Sequence, residues 1–124
     1  MEIKIPVKNK RDLFEKYLLF LNPLIKIKET VDIPILASLM IIIYKYKNYP
    51  EKNLYDCLFS DETKKYIGNG LNISEVEYDR SLKRMKKRKV ITEDNKINDR
   101  ILSIIHDNKK EIDIKFNVEK EKKF

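Results

Sequence analysis

The stretch "IPILASLMIII", Ile33–Ile43, constrains this chain more than any other. It is eleven residues of nearly unbroken apolar side chains. Spanning a bilayer takes about 20 such residues in a helix, so the run is too short to cross a membrane. A helix that is apolar all round has no side to offer water and must be wrapped by the rest of the chain. The run therefore reads as the central helix of a core. Asp32 is expected as its cap, Pro34 is tolerated in its first turn, and the helix extends through Met40 to about Tyr46.

The flanking segments supply the wrapping. "EIKIPV", residues 2–7, alternates and reads as a short strand. In "NKRDLFEKYLLFLNP", Leu13, Phe14, Tyr17, Leu18 and Leu21 recur at helical spacing, and Pro23 is expected to stop that helix. "KNYPEKNLYDCLFS" reads as a connection with a turn of helix near Leu54–Leu58. Ser60, followed by Asp61, Glu62 and Thr63, marks a helix start, because acids favour the positive end of the dipole. This helix should end at Gly68 or Gly70. "LNIS" is a tight turn and Ser74 caps "EVEYDRSLKRMKKRK". "VIT" and "KIN" around "EDN" read as a two-stranded wing, and "IDIKFNV", residues 112–118, as a strand that could pair with the first. Residues 1–118 make one domain, and 119–124 a charged tail.

With 27 Lys and Arg against 20 Asp and Glu, the net charge is +7. That fits a nucleic acid, an acidic protein surface or anionic lipid. Lys, Ile and Asn codons are also favoured by AT-rich coding, which accounts for part of the excess. The single Cys57 excludes an internal disulfide, and with the single His106 it cannot make a structural zinc site. The N-terminal "MEIKIPVKNKRD" has none of the parts of a signal peptide. No Gly-rich phosphate loop and no HExxH appears. His106 beside Asp107 has no nucleophile to join it and reads as a surface histidine. Cys57 reads as a small buried hydrophobe, and Tyr44, Tyr46, Tyr49, Tyr55 and Tyr66 as half-buried core rather than a surface for stacking bases. Asp61/Glu62 and Glu93/Asp94 sit where a helix start and a turn tip call for acids, so no metal is assigned to them. No enzyme, cofactor or small-molecule substrate is expected.

The one stretch with a functional signature is "SLKRMKKRKVITEDNKI", residues 81–97. Helical spacing puts Tyr78, Leu82 and Met85 on an inward stripe. Val76, Arg80, Lys83, Arg84 and Lys87 then face outward. From Arg80 to Lys89 there are seven basic residues and no acid. The candidate partner- or nucleic-acid-binding residues are Arg80, Lys83, Arg84, Lys86, Lys87, Arg88, Lys89 and Lys96. On DNA, Arg80 and Lys83 would meet base edges, and Lys87 and Arg88 phosphates. Glu75, Glu77 and Asp79, just ahead, would carry negative charge toward the same phosphates. A DNA contact, an acidic protein partner and a solvated face all remain open.

Residues 58–98, "LFSDETKKYIGNGLNISEVEYDRSLKRMKKRKVITEDNKIN", resemble the winged helix-turn-helix families. Arg88 and Lys89 stand where those families often carry a Gly to end the second helix. Across most of the chain, Leu21–Ile27, Leu58–Glu62, Ile73–Ser74, Lys86–Ile91 and Asn95–Asn98 are similar to small proteins of tailed, crAss-like bacteriophages. The resemblance implies an α+β fold, mainly helical, with a winged-helix-like core and a small antiparallel sheet of wing and terminal strands. It also implies a virion structural protein, a connector or collar subunit packed in a ring against portal or tail proteins. Such a protein would be found in the virion and, during assembly, in the host cytoplasm. The other reading it implies is a DNA-binding regulator or replication accessory. The three acids and the long apolar helix, read as extra interaction surface, favour the structural one.

Overall fold

The computed structural model describes residues 2–6, 8–27, 30–102 and 111–115. Its order is β1 (Glu2–Pro6), α1 (Lys10–Ile25), α2 (Asp32–Lys45), α3 (Glu51–Leu58), α4 (Asp61–Leu71), α5 (Glu75–Lys87), α6 (Asp99–Leu102) and β2 (Glu111–Lys115). α2 is the centre: Ile35, Leu36, Ala37, Leu39 and Met40 are wholly buried. It touches α1, α3, α4 and α5. These bring Leu13, Phe14 and Leu18, then Leu54 and Leu58, then Ile67, then Tyr78 and Met85 into one core. Most of the apolar run is thus covered, with Ile41 and Ile42 partly buried.

Local chemistry sets the helix ends. Asn9 caps α1 by accepting from the Asp12 N–H at 2.9 Å, and Asp12 in turn accepts from the Lys8 N–H at 2.9 Å. Ser60 caps α4 and Ser74 caps α5, each accepting from the N–H three residues on. Pro23 does not stop α1, which runs on to Ile25. A proline removes only its own donor, and its unpaired acceptor is on exposed Leu19. The stop is Lys26, in the left-handed region at φ 57, with Asn22 Oδ1 accepting from the Ile27 N–H. Likewise α4 passes both glycines and ends at Leu71, where left-handed Asn72 closes it.

The expected α+β class is corrected: the body of the chain is helical, and no wing sheet forms. Residues 90–98 make a hairpin with a single bridge, Ile91 opposite Ile97. Its loop is a turn closed by Asn95 N–H on Thr92 O at 3.0 Å, with Asn95 left-handed at φ 58. The second arm cannot lengthen, because Asn98 accepts from the Arg100 N–H and starts α6. Residues β1 and β2 run antiparallel, Glu2 opposite Lys115, as a two-stranded ribbon apart from that hairpin. Residue 7, residues 116–118 of the expected last strand, His106 and the 119–124 tail lie outside the described residues.

Candidate nucleic-acid interface

α5 is fixed to the core by a buried cluster. Asp32 is not the cap of α2; it lies inside the helix, and Val31 at the cap makes no side-chain bond. Its carboxylate, wholly buried, faces α5 instead. The Ser81 hydroxyl donates to Asp32 Oδ1 at 2.6 Å. Arg84 donates to both carboxylate oxygens, Nη2 at 2.7 Å and Nε at 3.1 Å. An acid in an all-round apolar helix has no route to water, so it needs a partner of this kind. The sequence carried that signal in Asp32 itself. The inward stripe of α5 is therefore Tyr78, Ser81 and Met85, with Leu82 only partly buried.

The structure divides the basic set by what each side chain touches. Arg84 is spent on Asp32 and is part of the scaffold. Lys96 is tied to Glu51 at 2.6 Å, linking the hairpin to the start of α3, and this partner holds its pKa above the usual lysine range. Lys86 donates to Asn95 Oδ1 at 3.1 Å and steadies the hairpin tip. Lys89 is exposed, and Arg88 half-buried. Arg80, Lys83 and Lys87 remain on the outer face, with no carboxylate in ion-pair reach among the described residues. With Val76 they form one exposed stripe at spacings of four, three and four.

Two of the three acids ahead of the stripe, Asp79 and Glu75, lie to its side. Asp79 pairs with Lys64 of α4 at 3.1 Å, and the hydrogen bond to Asp79 raises the Lys64 pKa. Glu75, one turn before Asp79 and on its side, adds to that rise. Two of the three acids thus lie on the flank against α4, off the outer stripe. Lys64, which lets them do so, was not singled out by the sequence pattern.

The exit from α5 is made without glycine. Lys89 takes the left-handed conformation at φ 62. The Lys89 N–H bonds Lys86 O at 3.1 Å, and the Val90 N–H bonds Met85 O at 2.9 Å. Buried Val90 and Met85 complete this Schellman cap.

Other expected features sort differently. Cys57 is exposed, not buried. Tyr46, Tyr49 and Tyr66 are exposed, while Tyr44 and Tyr55 are partly buried. An open cleft of about 720 Å³ lies between α1, α2 and α4, with Arg11 donating to the Ser38 hydroxyl at 2.9 Å in its wall. Among the described residues, no three His, Cys, Asp or Glu are grouped to hold a metal. No helix among them is long and apolar enough to cross a membrane. Comparison with family models, curated proteins and solved structures found no match.

Proposed function

We propose that this protein is a non-enzymatic DNA-binding protein whose working surface is the outer stripe of α5. The observation that carries the reading is the acid-free run of Arg80, Lys83 and Lys87, exposed and with no carboxylate in ion-pair reach among the described residues, while Asp79, Arg84 and Lys96 are engaged elsewhere. From Arg80 to Lys87 the helix rises about 10 Å, a length over which duplex DNA carries about six phosphate charges. The α4–turn–α5 order, with a hairpin after it, supports presentation of that helix to a groove. The objection from the acids weakens, since Lys64 holds Asp79 to the flank. Replacing Arg80, Lys83 and Lys87 with Ala should markedly weaken binding to duplex DNA at moderate salt without lowering the melting temperature. Unchanged binding would remove the reading.

A second reading keeps the chain as a virion structural subunit, in a connector or collar ring against portal or tail proteins. Exposed Val76 within the basic stripe, and exposed Leu19 and Phe20 on α1, support it, because apolar surface suits protein packing better than phosphate. Mass spectrometry of purified virions tests it; absence of the chain from the particle would sink it.

A further inference from the structure

We infer that a second surface, at the C-terminal end of α2, binds single-stranded nucleic acid by stacking unpaired bases on Tyr46 and Tyr49. Both tyrosines are exposed, 42% and 61%, although large aromatics at a helix end gain by being covered. Their rings pack edge to face with centroids 5.4 Å apart. The turn that holds them is closed by the Tyr49 N–H on Tyr46 O at 3.0 Å. The pair is therefore braced and still open to solvent.

The surroundings supply the charge that a nucleic acid needs. Lys10 and Lys47 each lie 4.7 Å from the Tyr44 ring centroid, and Lys47 also lines the cavity beside Tyr49. Lys45 and Lys52 stand on either side along the chain, with no carboxylate partner among the described residues. The nearest acid in sequence, Glu51, is already engaged by Lys96. A cavity of about 220 Å³ opens beside Tyr49, with Ile43, Leu54, Tyr55 and Leu102 as apolar walls, Lys47 and Lys96 among its basic residues and Glu51 and Asp99 among its acids. A recess with apolar walls next to Tyr49, with Lys47 lining it and Glu51 neutralised by Lys96, suits a base with its phosphate toward Lys47. Duplex DNA does not expose base faces, so the preference is for the single strand. The site does not rest on α5, which packs against the other end of α2 through Asp32.

The test is fluorescence anisotropy with labelled oligo-dT and a duplex of equal length. The Tyr46→Ala/Tyr49→Ala variant should bind oligo-dT about tenfold more weakly and the duplex as before. Tyr46→Phe/Tyr49→Phe, which keeps both ring faces, should retain oligo-dT affinity. Replacing Arg80, Lys83 and Lys87 with Ala should leave most oligo-dT affinity intact, which separates this site from the α5 stripe. The inference is overturned if the wild-type protein does not bind oligo-dT, if the alanine pair binds it normally, or if the phenylalanine pair loses it equally.

Discussion

At the residue scale, two basic side chains that look alike in sequence have opposite roles. Arg84 neutralises a carboxylate with no access to water. Removing it strands that charge, so Arg84→Ala should cost about 3 kcal/mol of stability, reduced from the fully buried case because Arg84 is partly exposed. Lys83→Ala, on the outer face, should change stability by less than about 0.5 kcal/mol. Chemical denaturation of the two variants checks both. Lys89 gives a third case. A non-glycine residue in the left-handed region is strained, so Lys89→Gly should stabilise the protein by about 1 kcal/mol. A thermal melt at neutral pH reads that gain. The sequence showed that a glycine was missing from this position; it could not show that Lys89 adopts the glycine conformation anyway.

At the element scale, the serine-capped helix starts and the central helix were legible because they depend on neighbours in sequence, whereas the Asp32 cap and the Pro23 and glycine stops were misplaced. Ser60 and Ser74 cap the helices they precede, and Ile33–Ile43 lies in the central helix. Pairings across the fold were not legible. Nothing local tells that Asp32 meets Ser81 and Arg84, or that Lys64 meets Asp79. The wing expected as a sheet fails for a local reason, the Asn98 start of α6, which competes with strand formation. α5 also carries a pH signature. Burial, with a smaller push from Asp79, raises the Tyr78 hydroxyl to about 12. The unfolded chain then loses this proton first. Stability from Tyr78 is full below the ordinary value of 10.0 and falls as pH rises towards about 12. Tyr78→Phe should flatten that part of the alkaline stability profile, measured by urea unfolding from pH 9 upward.

At the scale of the whole molecule, one apolar helix organises the rest, and the surface that remains is sorted by which charges are engaged. Arg84, Lys64 and Lys96 tie elements together, whereas Arg80, Lys83 and Lys87 are left outward on α5. Net charge alone did not make this division. It follows from where the buried acid and the flanking helices fall. The most direct test of this account is the salt dependence of duplex binding by the wild-type protein and the Arg80→Ala/Lys83→Ala/Lys87→Ala variant. Each phosphate contact contributes about 0.9 to the slope of log affinity against log salt. The wild-type slope should be steep and should fall by about 2 to 3 in the variant, with no change in melting temperature. Equal slopes for the two proteins would contradict it.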